Sequence, residues 1–353
     1  MTDPETLALR KRMQAMPKVL LHEHLDGGLR EATLLELLQA RGIEPPAIDA
    51  AGLATWFDAR AHAGSLEEYL RGFALTVAAM ANPDALERVA FEAAEDARAD
   101  GCVLAEFRIA PLLFEPLGVA PDAAVEALVA GLARSALPSG LIVCAMRQEA
   151  DAHIARAADL ALRWQGRGVI AFDLAGPEAG WPATRHAALL RRLRDAGLAL
   201  TLHAGEADAG MRVLEAARLG AARIGHGVRL AELLASNPEQ ADELRTLGVH
   251  LEICPTSNVH TGAAPSIAAH PIRALWRAGL SLSFHTDNRL MSRITPSMEA
   301  AQLISQAGFA EADLLRMGLD AAAASFLPQA QRDAARAALR GWAHAEGVAP
   351  TAR

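Results

Sequence analysis

The sequence predicts an α/β protein built as one (β/α)8 barrel, and three observations point there. Eight short apolar, β-branched runs recur along the chain, and alanine- and leucine-rich stretches with helical spacing follow most of them. No Gly-x-Gly-x-x-Gly turn follows the first run, where Gly27-Gly28-Leu29-Arg30 stands instead. Alternating strand and helix implies parallel pairing, because parallel neighbours need a crossover long enough to hold a helix. Eight such units over roughly 250 residues suit a closed barrel, whereas an open doubly wound sheet would usually carry the glycine turn.

The runs lie at about 18–25, 102–109, 140–147, 168–175, 198–204, 222–227, 248–254 and 280–286. Helical spacing is clear in Asp122 to Leu137, Ala183 to Ala196 and Met211 to Leu219, and Ala330 to Ala343 reads as a closing helix. About 75 residues separate the first run from the second, far more than one crossover helix requires. Within that interval Glu31 to Arg41 and Leu66 to Met80 look helical, with Trp56 and Phe57 between them. The interval reads either as a lid over the site or as an inserted helical pair that only packs. No repeat or linker marks a second domain, so residues 1–353 are expected to form a single barrel domain with a helical, lid-like insertion at about 30–100.

The chain of 353 residues is 52% hydrophobic, enough for a large core, and its net charge of -8 argues against a partner with a phosphate backbone. A small-molecule substrate is expected, with no nucleic acid and no membrane as partner; the sequence does not specify an oligomeric state. Arg10, Lys11 and Arg12 are followed by no apolar run, and no later segment has the uncharged length of a membrane span, so a cytoplasmic location is expected. Cys102, Cys144 and Cys254 are odd in number and far apart, which fits small buried residues better than disulfides or a zinc ribbon. Lys11 and Lys18 are the only lysines in the sequence, which disfavours Schiff-base chemistry, a Walker loop and a lysine bridging two metals.

Polar residues at the carboxyl ends of barrel strands share one mouth. His22 and His24, two apart on an extended strand, face the same side and can converge on one point. The fifth run ends in His203-Ala-Gly-Glu206, the sixth in Gly225-His226-Gly227 and the eighth in His285-Thr-Asp287-Asn288. Three neutral imidazoles, His22, His24 and His203, with the carboxylate of Asp287 make a donor set suited to catalytic zinc, one ion per chain. Such a site keeps a net positive charge and favours hydroxide over water. His226, between glycines that allow close approach, could take the water proton or stabilise hydroxide, and Glu206 could donate or shuttle a proton. Structural alternatives stand beside each: a helix cap for Glu206 or Asp287, a buried structural histidine for His226. Glu23 should face away from His22 and His24, and His285 sits too deep for ligation. His62, His153, His186, His250, His260, His270 and His344 have no comparable context.

Seven segments in register along nearly the whole chain resemble the signatures of the adenosine deaminase family in the amidohydrolase superfamily. They are Pro17 to Gly27, Ala105 to Pro111, Asp173 to Glu178, His203 to Glu206, Arg223 to Gly227, Cys254 to Asn258 and Thr286 to Asn288. The resemblance implies zinc-dependent hydrolysis of the exocyclic amine of a purine nucleoside, most simply adenosine or deoxyadenosine, with ammonia released. It implies that Glu206 protonates the ring nitrogen beside the attacked carbon and that His226 orients or deprotonates the water. It further implies that Asp26 hydrogen-bonds a sugar hydroxyl and that the Gly176 backbone contacts the purine. The expected sets are therefore Glu206, His226 and Asp287 for catalysis, His24, Asp26, Gly176 and Asn288 for substrate, and His22, His24, His203 and Asp287 for metal. Asn288 departs from much of the family, where an aspartate contacts the purine; an amide donates to that nitrogen without needing a raised pKa. A 5'-substituted adenosine such as aminodeoxyfutalosine is the alternative substrate. Another metal-dependent hydrolase on the same barrel is a more remote one.

Overall fold

A computed structural model describes residues 4–62 and 66–352; residues 63–65 of the expected insertion lie outside the described residues. The strands are β1 (Lys18–His24), β2 (Cys102–Ile109), β3 (Ser139–Met146), β4 (Val169–Ala175), β5 (Ala199–Ala204), β6 (Arg223–His226), β7 (His250–Ile253) and β8 (Ser281–Phe284). They lie side by side in sequence order, each parallel to the next, as a barrel requires. The turn of chain after β8 closes the seam. Asp287 donates its N–H to the carbonyl of His22 (3.0 Å) and accepts from the N–H of His24 (2.8 Å). The expected strands are all present, their ends shifted by two residues at most.

The insertion differs from the expected helical pair. Besides α1 (Pro4–Ala15), which precedes the barrel, four helices fall between β1 and β2: α2 (Glu31–Ala40), α3 (Ala50–Ala61), α4 (Leu66–Met80) and α5 (Pro83–Ala99). Trp56 and Phe57 belong to α3, which mixes glycine, threonine, aspartate and aromatics and so lacks a clean apolar period. Its start is set instead by Asp49, whose side chain accepts from the N–H of Gly52 at 2.7 Å. Asn82 caps α5 in the same way, Pro83 occupies its first turn, and Ala85, Leu86, Val89, Ala90, Ala93, Ala94 and Ala97 form one buried face. That face makes α5 the crossover helix proper, packed on β2, and leaves α2 to α4 as the true insertion. All three cysteines are buried and free.

The barrel interior is polar where it meets the mouth. Glu106, Arg108, Asp173, Arg223 and Glu252 point inward from β2, β4, β6 and β7, and each is completely buried. Arg108 bridges Asp173 (2.8 Å) and Glu252 (2.6 Å), and Arg223 bridges Glu252 (2.6 Å) and Glu106 (2.6 Å). Burial alone would raise the Glu252 carboxyl, but Arg108, Arg223 and His22 hold it well below its usual range. Because removing one member of such a set leaves a buried charge uncompensated, Glu252→Gln should cost about 3–5 kcal/mol of stability. Urea unfolding should show this as a lower midpoint at unchanged slope; an unchanged midpoint would mean that the network is dispensable.

Candidate active site

The imidazole nitrogens of β1 and β5 and the carboxylate that follows β8 meet at the carboxyl end of the barrel. Nε2 of His24 lies 3.2 Å from Nε2 of His203, and Oδ1 of Asp287 lies 3.4 Å from Nε2 of His22 and 3.5 Å from Nε2 of His24. Donor atoms seated about 2.0–2.2 Å from one ion stand roughly 3.0–3.5 Å apart, so these separations fit a single metal. Nε2 of His22 is buried without a hydrogen-bond partner, a state that a coordinated ion would resolve. Burial lowers the pKa of His24 well below its ordinary value and keeps the ring neutral, as a ligand must be. Burial opposes ionisation of Asp287, but His22, His226 and His24 hold its carboxyl well below the usual range, so it stays anionic.

Three of these side chains are held from behind. Nδ1 of His22 lies 2.9 Å from Oε2 of Glu252, and Nδ1 of His203 lies 2.8 Å from Oδ2 of Asp173. The His22 ring therefore carries its proton on Nδ1 and offers Nε2 to the mouth, while Asp173 stands against the His203 ring as a charged neighbour. Ser257 Oγ donates to Oδ2 of Asp287 at 2.6 Å, leaving Oδ1 toward the imidazoles. Gly225 makes room for the cluster, because a Cβ there would sit 2.9 Å from Cε1 of His22 and 3.3 Å from Cγ of His203.

His226 also belongs to the group, since one donor atom from each of His22, His203, His226 and Asp287 lies within 4.8 Å of the others. Its Nε2 faces Oε2 of Glu206 at 3.6 Å, while its Nδ1 lies 3.0 Å from Nδ2 of Asn258. His226 and Asp287 both adopt left-handed backbone, φ 63° and 60°. For residues with a Cβ this costs about 1–3 kcal/mol each, and such strain gathers where side-chain aim matters more than stability. Glu206 is held through its main chain. The Glu178 carboxylate accepts from the N–H groups of Gly205 (2.5 Å), Glu206 (2.9 Å), Ala207 (2.8 Å) and Asp208 (3.1 Å). The Glu206 side chain accepts from Thr261 Oγ1 at 3.0 Å.

A cavity of about 320 Å³ opens over this group, lined by every expected site residue except His22, which lies beneath it. Burial raises the Asp26 carboxyl to about 7, and its Oδ1 has no partner among the described residues. Oδ1 of Asn288 is likewise buried and unpartnered. Gly176 turns at φ +89°, and a Cβ there would strike Oε1 of Gln148 at 2.5 Å, so its backbone can approach a ligand closely. Phe73, Ala74 and Val77 of α4 join Leu113 and Met146 in an apolar wall, which brings the insertion into contact with the cavity. Glu23 faces the opposite side, bound to Arg289 (2.5 Å) and Thr286 (2.9 Å), and His285 is spent on Leu21 N–H and Ser283.

Sequence reasoning left several working residues unassigned. Asp173, Glu252, Glu178, Ser257 and Asn258 orient other side chains, and the first two were detectable only as carboxylates on inward-facing strand positions. His270, without context in the sequence, packs against Asn258.

Residues 17–341 match the family model described as adenosine deaminase. The chain is 42% identical over 344 residues to an adenosine deaminase of Mycobacterium avium, covering 91% of this chain and 93% of that one. The N6-mAMP deaminase of Arabidopsis superposes with a TM-score of 0.82 at 25% identity, over 94% of this chain and 99% of that one. An amidohydrolase from Burkholderia ambifaria with bound zinc shares the fold, with a TM-score of 0.83 at 24% identity over 98% and 95% of the two chains.

The close fit at Gly225 gives a direct test of the convergence. Gly225→Ala pushes a methyl group against His22 and His203, so the purified variant should keep its circular dichroism yet bind less than about half the metal of the parent by elemental analysis. Full metal content in that variant would rule out the ligand grouping.

Proposed function

This chain belongs to the adenosine deaminase family, and from that premise we propose that it hydrolyses the 6-amino group of adenosine and deoxyadenosine at the mouth of its barrel, giving inosine or deoxyinosine and ammonia. One observation carries the reading of the site: donor atoms of His22, His203, His226 and Asp287 lie within 4.8 Å of one another, His24 stands 3.2 Å from His203 and 3.5 Å from Asp287, and Glu206 faces His226 at the cavity. His22, His24, His203 and Asp287 would hold one zinc ion. When bound, that ion supplies Lewis acidity that brings the pKa of water toward neutrality.

The protein's own groups account for the remaining demands. Glu206, fixed by Glu178 behind it and Thr261 beside it, delivers a proton to the purine ring nitrogen next to the attacked carbon, which removes aromaticity where water adds. His226 stands across from Glu206 and orients the attacking oxygen. The Gly176 backbone and the Asn288 amide face the purine, and the unpartnered Oδ1 of Asp26 accepts from a sugar hydroxyl. His24 borders the substrate as well as the metal. The apolar wall from α4, Leu113 and Met146 excludes water, in keeping with a lid role for the insertion. Residues 1–353 then work as one catalytic unit.

The lining supports a neutral nucleoside over a nucleotide. Among the described residues of the cavity wall there is no lysine or arginine, whereas Asp26, Glu206 and Asp287 are acidic. A 5'-phosphate would meet carboxylates where it needs cations.

Ammonia release should be measured in parallel from adenosine, deoxyadenosine, adenine, adenosine monophosphate and aminodeoxyfutalosine. The first two should be turned over best, and efficient turnover of the last alone would overturn the adenosine assignment. Chelation should abolish activity until zinc is returned, and Glu206→Gln should lower kcat by about 10²–10⁴-fold. Turnover untouched by both treatments would sink the mechanism.

A further inference from the structure

A chain of polar contacts runs from a backbone amide at the start of the helix Ile272–Arg277 to His226. The N–H of Ile272 lies 3.0 Å from Nδ1 of His270. A backbone N–H can only donate, so Nδ1 of His270 is the acceptor, and the neutral ring carries its proton on Nε2. Burial lowers the pKa of His270 to about 3 and keeps it neutral. Nε2 of His270 in turn faces Oδ1 of Asn258 at 3.3 Å, the only amide atom that can accept its proton. Asn258 is buried, and with its oxygen spent on His270 the Nδ2 amino group is what meets Nδ1 of His226 at 3.0 Å. An amino group only donates. The far nitrogen of His226 is thereby assigned through two intermediates by a single main-chain hydrogen.

We propose that this relay fixes the neutral His226 ring with its proton on Nε2, so that His226 serves the cavity as a hydrogen-bond donor, and that Asn258 and His270 are positioning residues acting through it. The inference rests on the proposed reading of the cavity and resolves the two roles open to His226. A ring whose Nδ1 already accepts from Asn258 has no lone pair to offer at Nε2. It can hold and orient an attacking oxygen by donating to it. Removal of the water proton then falls to a carboxylate of the mouth, Asp287 or Glu206. Protonation on both nitrogens would require Asn258 to turn its oxygen toward His226 and its amino group toward His270 Nε2. His270 would then need its proton on Nδ1, against the Ile272 N–H.

The test reads the tautomer itself. Long-range ¹H–¹⁵N correlation spectra of the zinc-loaded enzyme, labelled in histidine and assigned by comparison with His226→Gln, should show His226 as the neutral form protonated on Nε2. A proton on Nδ1 would overturn the proposal. This readout needs no substrate, so it stands or falls apart from the identity of the nucleoside. Asn258→Asp presents acceptors on both sides and should move the His226 proton to Nδ1. Loss of a donor aimed at the reacting oxygen should lower kcat by about 10²–10³-fold with KM changed less than about threefold. Zinc content and Tm are measured beside it, and an unchanged kcat in a variant whose tautomer has switched would overturn the donor role. Should Asn258→Asp fail to fold, His270→Glu takes its place. It puts an acceptor against Asn258 and should reproduce the loss, while His270→Gln, which still offers an N–H, should restore kcat to within about tenfold of the parent. Equal loss in Gln and Glu would show a merely structural histidine.

Discussion

The site depends first on Glu252. Its two oxygens meet Arg108, Arg223, Thr201 and the Nδ1 of His22, all inside the barrel. A buried carboxylate is stable only when its charge is matched and its lone pairs are filled, and here both arginines are themselves matched by Asp173 and Glu106. The set holds three acids and two bases. Its net negative charge lies directly beneath the proposed metal position, where a cation above offsets it. Core and mouth are therefore electrostatically linked, since His22 is oriented by the same oxygen that neutralises Arg108.

The second constraint is closure. The seam between β1 and the chain after β8 is made by hydrogen bonds between His22, His24 and Asp287, three of the proposed ligands. Barrel geometry thus sets part of the coordination geometry before any ion binds, which lowers the cost of ordering the donors. The left-handed backbone at Asp287 and His226 is the local cost of that arrangement. His226 ends a strand paired on both sides, and Asp287 is held by its bridge to the first strand. Gly225 serves the same end by omission, since any side chain there would separate His22 from His203.

The barrel was legible in the sequence because its strands are mostly buried on both faces and so carry apolar cores, interrupted on β2, β4, β6 and β7 by the inward-facing charges. The mouth was legible because strand ends carry short polar signatures, and His22, His24, His203, Glu206, His226 and Asp287 each follow such a run. The insertion was less so: α3 begins on an aspartate cap and shows no apolar stripe, so local hydrogen bonding defines it where periodicity cannot. Supporting residues were hidden for another reason. Glu178 acts on four main-chain N–H groups about thirty residues away, and His270 acts through Asn258, so neither leaves a pattern of spacing in its own neighbourhood. Such roles exist only once the fold has brought distant segments together.

The two halves of the mouth are built to different standards. On the metal side three of the four groups are backed by a partner, His22 by Glu252, His203 by Asp173 and Asp287 by Ser257. On the substrate side Asp26 and Asn288 each keep a buried oxygen with no partner among the described residues, and Phe73, Ala74 and Val77 of α4 present an apolar wall. Buried polar atoms left unpaired cost about 1–3 kcal/mol each, and that cost is recovered only by a ligand that supplies the missing donors. A sugar hydroxyl is such a donor for Asp26; a phosphate, which brings acceptors and negative charge, is not. Selectivity for a neutral nucleoside then follows from what the pocket leaves unsatisfied, as much as from the contacts it makes.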